Sequence, residues 1–306
     1  MTVRAAIDCG TNSVRLLVVD GDGATLERRM TITRLGEGVD ATGRLLPGAI
    51  ERTLEVLARY RELMEGHGVT SLRAIATSAA RDAANAGELF EPAYTLLGQD
   101  LEVITGDEEA GFSFSGATAG LSPEQGPFLM IDIGGGSTEF AFGTDECEAS
   151  ISLDMGSVRL TERFLEHDPP WAEELTAAIS VAETHLDDMF LAIPDVGGAG
   201  TVLGVAGTIT TVAAVEIGLA VYDREVIHHF VLTRDAVEDV FRTLATEPLA
   251  DRVHNPGLPP ERAPVIVGGL CVLVAIMRRL GLDALLVSES DILDGVVASL
   301  NAGSDR

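Results

Sequence analysis

The sequence predicts an α/β protein made of two lobes of similar design, for three reasons. A motif that begins at Asp8 and ends at Ser13 resembles one that begins at Asp132 and ends at Ser137, and each follows a short apolar stretch. Each copy precedes further strand-like sequence and a turn, so each lobe is predicted to begin with a β-hairpin. Beyond each hairpin, strand-like and helix-like segments alternate, which is typical of α/β layers.

In the first lobe, the clearest pattern after the hairpin is a helix at 47–66. Ile50, Leu54 and Leu57 recur at helical spacing on one face, with a proline at the start of the segment and a glycine at its end. Apolar runs and turn residues predict the remaining elements of this lobe: strands at 71–77 and 101–104 and helices at 82–97 and 107–119.

The second lobe contains more helix than the first. Its predicted elements are helices at 156–166, 171–191, 234–244, 262–280 and 291–300 and strands at 202–206 and 284–287. The pair His228-His229 lies in the apolar run 226–231, which is typical of a strand, and the two rings would then point to opposite faces. The turn-rich segment 120–127 separates the lobes, so the predicted domains are 1–122 and 123–306.

Cysteine, histidine and apolar patterns argue against several classes of protein. The three cysteines are scattered and the six histidines have no metal-ligand spacing, so neither a zinc site nor a disulfide framework is predicted. No apolar run has the length of a membrane span, and the first residues lack the apolar core of a signal peptide. We therefore expect a cytoplasmic protein without membrane association.

Charge is distributed unevenly along the chain. The sequence contains 21 arginines, no lysine and 48 acidic residues, and its formal net charge is −27. Residues 1–81 hold 11 arginines against 10 acidic residues, whereas the remainder holds 10 arginines against 38 acidic residues. The acidic total argues against binding to nucleic acid or to a membrane surface. A polyanion would be repelled by the second lobe, so the arginine-bearing first lobe is predicted to carry it.

Both repeated motifs have the composition of anion-binding loops. Glycine lets the backbone approach an anion closely, and hydroxyl and amide side chains add donors. The predicted phosphate-binding residues of these loops are Gly10, Thr11, Asn12, Ser13, Gly134, Gly135, Gly136 and Ser137. One such loop is weak support for a site, but two related loops one lobe apart favour a shared anionic ligand. A third strand-to-helix turn, at 206–211, predicts further anion contacts from Gly207 and Thr208, with a plain helix cap as the alternative.

Carboxylates and one arginine near these loops suggest a metal site and a catalytic pair. Asp8 and Asp132 end predicted strands and could bind a hard cation such as Mg²⁺, with Glu139 contributing to the same site or serving as a solvated strand residue. Glu109 is one of three consecutive acidic residues at a predicted helix start, where a carboxylate either suits the helix dipole or activates water. Arg81 lies at a strand-to-helix junction, where a guanidinium could bind phosphate oxygens.

Together these residues resemble the exopolyphosphatase and guanosine pentaphosphate phosphatase family, whose fold is shared with sugar kinases, heat-shock chaperone ATPases and actin. The resemblance runs nearly end to end and is carried by the segments 8–13, 34–38, 76–81, 108–110, 132–139 and 256–266. Pro264 departs from the aspartate that is usual in the last segment. The resemblance implies two actin-like, RNase H-like lobes with an inter-lobe cleft. It also leads us to expect no helical HD-type C-terminal domain.

The resemblance implies an exopolyphosphatase that releases terminal orthophosphate from inorganic polyphosphate, with short chains expected because the HD-type domain is missing. Glu109 would deprotonate the attacking water, and Arg81 and the loops would fix the terminal phosphoryl group. Asp132 and Glu139, with Asp8, would hold Mg²⁺, with Mn²⁺ as an alternative. A homodimer is a family-level expectation.

Three alternatives stay open at the level of sequence. The nearest is a guanosine pentaphosphate (pppGpp) phosphohydrolase, because the loops would bind phosphates and leave the rest of the substrate unspecified. A small-molecule kinase of the same superfamily would need an adenosine pocket, and no convincing second glycine-rich adenosine loop is present. A non-catalytic regulator that binds polyphosphate, ppGpp or pppGpp is disfavoured because Glu109 and Asp132 are both retained.

Overall fold

The computed structural model describes the backbone of residues 2–302 and the side chains of residues 2–300, and the chain divides into two compact units. Unit 1 comprises the chain up to Gly116 together with the segment that begins at Ile292. Unit 2 comprises Ala117–Asp291.

Unit 1 is built on a five-stranded mixed sheet with the strand order β3-β2-β1-β4-β5. Its strands are β1 (Val3–Cys9), β2 (Ser13–Val19), β3 (Thr25–Ile32), β4 (Val69–Ala76) and β5 (Leu101–Val103). The first three strands form an antiparallel meander, and β4 and β5 run parallel to β1. The helices between them are α1 (Val39–Thr42), α2 (Pro47–Gly66), α3 (Ser78–Asp82), α4 (Gly87–Leu97) and α5 (Gly106–Thr118).

Unit 2 repeats this plan and adds one strand, with the order β10-β11-β9-β6-β7-β8. Its elements are β6 (Phe128–Ile133), β7 (Thr138–Gly143), β8 (Cys147–Leu153), α6 (Ser157–Phe164), α7 (Ala172–Ala192), β9 (Thr201–Val205), α8 (Ala206–Ile217), α9 (Arg224–Ile227), β10 (Val231–Thr233), α10 (Arg234–Thr246), α11 (Leu249–Arg252), α12 (Ile266–Arg279) and β11 (Ala284–Val287). An antiparallel meander again precedes strands that run parallel to its first member. The predicted α/β fold of two lobes of similar design is confirmed by this shared topology.

Helix α12 is the central element of the unit 2 core. Its residues Ile266–Met277 are all buried, so it is apolar on every side. Two glycines let neighbours approach it closely: a Cβ on Gly268 would lie 2.3 Å from Thr161 Oγ1 of α6, and one on Gly269 would lie 2.6 Å from Thr208 Cγ2 of α8. The helix therefore anchors α6 and the start of α8. Across residues 2–302, no helix combines the length and apolarity that a membrane crossing requires.

The helix predicted at 82–97 is interrupted after its first residue. Ala83 is extended, with φ −94° and ψ 121°, and α4 begins only at Gly87. The side chain of Asn85 pairs with the backbone of Leu45, accepting its N–H at 2.8 Å and donating to its carbonyl at 3.1 Å. This tertiary pairing competes with helix formation, which the local pattern did not reveal. The helix predicted at 47–66 is confirmed as α2.

The strand predicted at 226–231 is wrong. His228 follows α9, and His229 adopts a left-handed backbone with φ 63°, which lies outside the β region of regular strands. The two rings stack with their centroids 3.8 Å apart instead of pointing to opposite faces. The turn is fixed from β11, because His229 donates its N–H to the Val287 carbonyl at 2.7 Å and His228 Nδ1 accepts the Glu289 N–H at 3.1 Å.

The last described helix, α13 (Ile292–Ala302), belongs to unit 1, whereas the sequence predicted a second domain that continues to the end of the chain. Its apolar residues form a small core with the sheet of unit 1: Ile292, Leu293, Val296 and Val297 pack with Ala6, Leu17, Val19, Ile75 and Ile104. Gly295 lies directly over α5, because a Cβ there would be 2.1 Å from the Phe112 carbonyl oxygen. Helix α13 thus packs on one face of the first sheet, against β1, β2 and β4.

Candidate active site

The parallel strands of unit 1 end together at one edge of their sheet. Cys9 pairs with Ala76, and Ala76 pairs with Val103, so β1, β4 and β5 end in register. Backbone hydrogen bonds extend this alignment: Thr77 donates to Cys9 at 3.3 Å, and Ile104 donates to Ala76 at 3.2 Å. Ligands of open α/β sheets bind at this carboxyl edge. Three segments that contain predicted site residues begin here: residues 10–13, 77–81 and 105–109.

Loop 1, residues 10–13, connects β1 to β2 in a tight turn. Gly10 donates its N–H to the Ser13 carbonyl at 3.0 Å. A Cβ on Gly10 would lie 3.3 Å from that same carbonyl oxygen and 4.0 Å from Thr77 Oγ1, so the loop passes close to the end of β4. Cys9, just before the loop, is fully buried, and burial raises the pKa of its thiol, so it is unsuited to act as a nucleophile.

The segment after β3 holds the carbonyl groups of loop 1. Thr33 and Arg34 both donate their N–H groups to the Asn12 carbonyl, at 3.1 and 3.0 Å, and Gly36 donates to the Thr11 carbonyl at 2.8 Å. Only glycine permits this approach, because a Cβ at position 36 would lie 2.2 Å from Thr11 Cγ2. Loop 1 therefore turns its carbonyls towards the protein.

Loop 2, residues 134–137, has the same construction in unit 2. Gly134 donates its N–H to the Ser137 carbonyl at 3.1 Å, as Gly10 does to Ser13. The start of α6 holds the loop carbonyls: Val158 donates to Gly135 at 2.8 Å, and Arg159 Nε donates to Gly136 at 2.7 Å. Gly156 permits the contact, because a Cβ there would lie 2.4 Å from the Gly135 oxygen.

With their carbonyls bound, both loops have unused donors. Within residues 2–302, the N–H groups of Thr11 and Asn12 in loop 1 donate to no protein acceptor. The same holds within that range for Gly135 and Gly136 in loop 2. Successive N–H groups without acceptors form the concave donor surface that binds anions. Asn12 adds its amide, which is 7% exposed and has no hydrogen bond from Nδ2 or Oδ1 to any described residue.

The aspartates that precede the loops face different partners. Asp8 lies directly opposite Arg15 on β2, and its Oδ2 accepts Arg15 Nε at 2.9 Å and Nη2 at 2.5 Å. Asp132 lies directly opposite Glu139 on β7. The equivalent positions thus hold an ion pair in unit 1 and a pair of acids in unit 2, although the loops share one design.

The acid pair of unit 2 fits a hard divalent cation. Asp132 is 5% exposed and Glu139 is 1% exposed, and Glu139 Oε1 accepts the Ser152 hydroxyl at 2.7 Å. Two buried carboxylates side by side repel each other unless a proton or a cation is shared. Mg²⁺ commonly takes one or two carboxylates and completes its shell with phosphate and water oxygens. The described residues contain no group of three or more His, Cys, Asp or Glu side chains arranged around a metal position.

The two predicted catalytic residues are in direct contact. Arg81 on α3 donates Nη1 to Glu109 Oε2 at 2.7 Å and to the Ile104 carbonyl at 3.0 Å. The side chains are 21% and 12% exposed, so both are largely screened from solvent and still reachable. The pair lies at the carboxyl edge of the first sheet, where loop 1 also lies.

The neighbouring acid Glu108 has a different role. Thr105 precedes α5, and its N–H and hydroxyl both donate to Glu108 Oε2, at 2.8 and 3.0 Å, while the Glu108 N–H donates to Thr105 Oγ1 at 3.2 Å. This is a capping box, and the bonds from the Thr105 backbone and hydroxyl lower the pKa of Glu108. Successive residues on a helix point about 100° apart. Glu108 therefore caps the helix, while Glu109 contacts Arg81.

The predicted anion turn at Gly207 and Thr208 is covered by Arg262, a residue for which the sequence analysis predicted no role. Ala206 has a left-handed backbone with φ 66°, and a Cβ on Gly207 would lie 2.0 Å from Arg262 Nη1. Arg262 belongs to the segment 256–266, which carries part of the family resemblance. The signal for its contact with Gly207 was the missing side chain at 207, which left room for a guanidinium.

The site contains two donor loops of one design, a buried acid pair and a glutamate bound by an arginine. These features are typical of α/β proteins that bind phosphates and catalyse phosphoryl transfer. The chain belongs to the Ppx/GppA phosphatase family, whose model matches residues 17–302.

Two proteins with similar sequences support the family assignment. Exopolyphosphatase 2 of Mycobacterium tuberculosis strain H37Rv is 42% identical over 316 residues, which cover 98% of this chain and 99% of that protein. The guanosine-5'-triphosphate,3'-diphosphate pyrophosphatase of Vibrio campbellii is 34% identical over 300 residues, which cover 96% of this chain and 58% of that protein. The chain therefore spans little more than half the length of the second relative.

Solved structures share the fold across the chain. An exopolyphosphatase-like protein superimposes with a TM-score of 0.95 at 34% identity, over 99% of this chain and all of that one. An exopolyphosphatase from Cytophaga hutchinsonii gives 0.90 at 27% identity over 99% and 98% of the two chains. The Aquifex aeolicus family member gives 0.81 at 33% identity over 100% and 99%.

Proposed function

We propose that the protein is an exopolyphosphatase, which hydrolyses the terminal phosphoanhydride bond of inorganic polyphosphate. The observation that carries the proposal is the Arg81–Glu109 pair at the same sheet edge as loop 1. It supplies a carboxylate for water beside a donor surface for phosphate. The identity to exopolyphosphatase 2 over nearly the whole of both chains supports polyphosphate as the substrate.

In the proposed reaction, each loop binds phosphate oxygens through N–H groups that have no acceptor among the described residues. Arg81 turns its guanidinium towards the terminal phosphoryl oxygens, where charge develops. Glu109 orients a water molecule and accepts its proton as the water oxygen bonds to the terminal phosphorus. The bridging P–O bond breaks, and the products are orthophosphate and a chain shorter by one unit.

The carboxylates of Asp132 and Glu139 are the proposed metal ligands. Mg²⁺ bound there would neutralise part of the phosphate charge. Asp8, whose Oδ2 is held by Arg15, is the third predicted ligand. The metal requirement, homodimer formation and a cytoplasmic location remain predictions.

Guanosine pentaphosphate is the second candidate substrate. The Vibrio campbellii relative, named for a guanosine-5'-triphosphate,3'-diphosphate substrate, is similar over 96% of this chain. The chemistry would be the same, since the terminal phosphoanhydride is again cleaved by water. Only the leaving group differs.

A side-by-side assay of orthophosphate release tests the proposal. The substrates are polyphosphates of defined length, pppGpp and ATP, each with and without Mg²⁺. Faster release from polyphosphate than from the nucleotides, dependent on Mg²⁺, is the expected result. Preferential release from pppGpp would replace polyphosphate as the substrate, and phosphate transfer from ATP to an added acceptor would contradict hydrolysis.

A further inference from the structure

The arginines of unit 1 are almost all committed to contacts within the fold. Eleven of the 21 arginines lie in residues 1–81. In the described part of the chain, nine of these eleven donate to a carboxylate or a carbonyl oxygen. Arg34 and Arg59 are the two whose guanidinium groups have no hydrogen bond or ion pair to a described residue, and both are exposed.

Of these two, Arg34 lies in the segment that supports loop 1. Its N–H donates to the Asn12 carbonyl at 3.0 Å, one residue after Thr33 makes the same contact at 3.1 Å. Arg59 lies in the middle of α2 instead. The backbone of Arg34 is therefore hydrogen-bonded to loop 1, while its guanidinium has no partner among the described residues.

The backbone at Arg34 is held in an unfavourable conformation. Its φ is 51°, a left-handed value that glycine adopts without cost and arginine does not. Arg52 fixes the segment on both sides of it, donating Nε to the Thr33 carbonyl and Nη2 to Glu37 Oε2, each at 2.9 Å. Such strain persists when the surroundings impose it, and it is concentrated at functional sites.

Loop 2 shows what an arginine does when it serves only to support a loop. There the side chain of Arg159 donates to the Gly136 carbonyl, so its guanidinium is used within the fold. In loop 1 it is the backbone N–H of Arg34 that binds a loop carbonyl, that of Asn12. The guanidinium of Arg34 makes no hydrogen bond to a described residue. The buried side-chain amide of Asn12, whose backbone carbonyl accepts the Arg34 N–H, also has no hydrogen-bond partner in the described chain. The guanidinium of Arg34 and the orphaned amide of Asn12 are both groups that a phosphate could satisfy.

We propose that Arg34 is a substrate-binding residue, which contacts a phosphate adjacent to those bound by the N–H groups of loop 1. The inference rests on the proposed function, since it names a further contact for the same polyanion. A guanidinium can form two parallel bonds to phosphate oxygens. Because Arg34 has no bond to Glu109 or Arg81, it is expected to act on affinity and to leave the chemical step unchanged.

The central test compares Arg34→Gly, Arg34→Lys and Arg59→Ala. Glycine keeps the left-handed backbone and removes the guanidinium, so Arg34→Gly is expected to melt at or above the wild-type temperature. Its KM for polyphosphate should rise about tenfold while kcat stays within about twofold, as expected for a lost charge-assisted contact. Arg34→Lys should be intermediate. Arg59→Ala, which removes the other free arginine, should match the wild type.

A binding measurement separates this inference from the proposed function. Calorimetric titration of inorganic polyphosphate of defined length into wild type and Arg34→Gly, with no metal added, measures affinity without a kinetic readout. A wild-type affinity for Arg34→Gly would overturn the role of Arg34 even if the wild type releases orthophosphate. An equal loss for Arg59→Ala would assign the effect to overall charge and overturn it as well. Failure of the wild type to release orthophosphate would overturn the proposed function, while a lower affinity of Arg34→Gly would still support the contact.

Discussion

At the scale of single residues, the adjacent glutamates Glu108 and Glu109 of α5 have different roles because their side chains point in different directions. Glu108 accepts both donors of Thr105 and closes the start of α5. Glu109, about 100° further round the helix, contacts Arg81. The sequence alone does not distinguish the two glutamates, because they are consecutive residues of the same type. The contact with Arg81 is therefore the observation that distinguishes a candidate base from a helix cap.

The two glutamates predict opposite results for the same substitution. Glu109→Gln should lower kcat for orthophosphate release by about a thousandfold, because an amide cannot accept the proton of water, and should leave polyphosphate affinity within a few-fold. Glu108→Gln should keep nearly full turnover, because glutamine also serves in a capping box. Steady-state kinetics on both variants gives the comparison. Equal losses for the two would remove the basis for choosing Glu109.

At the scale of elements, each donor loop depends on a supporting segment that approaches through a glycine. Gly36 brings the segment after β3 against Thr11, and Gly156 brings α6 against Gly135. Each support binds carbonyl groups of its loop, while successive N–H groups of the loop have no acceptor among the described residues. The shape of each loop thus depends on residues 20 or more positions away in the sequence.

Gly156→Ala should therefore damage substrate binding through loop 2. A Cβ at 2.4 Å from the Gly135 oxygen forces the loop or α6 to move, with an expected loss of about 1–3 kcal/mol in unfolding free energy. KM for polyphosphate should rise as the donors lose their alignment. Gly197→Ala is the control, since nothing lies within 4 Å of its Cβ position. If urea unfolding and KM of Gly156→Ala both match the control, the supporting role is contradicted.

At the scale of the whole molecule, the chain returns to its first unit at its end. Helix α13 packs its apolar side on β1, β2 and β4, although it is separated from β1 by nearly the full sequence. Local periodicity could predict the helix, but a pairing at such separation leaves no local pattern. The hairpins and loops were predictable because a repeated motif marked them. The left-handed His229, the Arg81–Glu109 contact and the free Arg34 were not, because each arises from tertiary hydrogen bonds.

The packing of α13 predicts that a change near the end of the chain weakens the first sheet. Leu293, which is 1% exposed, touches the face of that sheet, so Leu293→Ala should cost about 2–5 kcal/mol of unfolding free energy. Hydrogen exchange should then show faster exchange in β1 and β4. Leu191→Ala, at an 82% exposed position, should have almost no effect. Loss of protection confined to unit 2 would be inconsistent with this arrangement.

The central claim is that water, activated at Glu109, attacks the terminal phosphorus of a phosphate chain. Hydrolysis of a defined-length polyphosphate in ¹⁸O-labelled water measures this directly by mass spectrometry of both products. The account predicts one ¹⁸O atom in the released orthophosphate and none in the remaining chain, which is shorter by one unit. Label in the remaining chain, or release of fragments longer than orthophosphate, would contradict it.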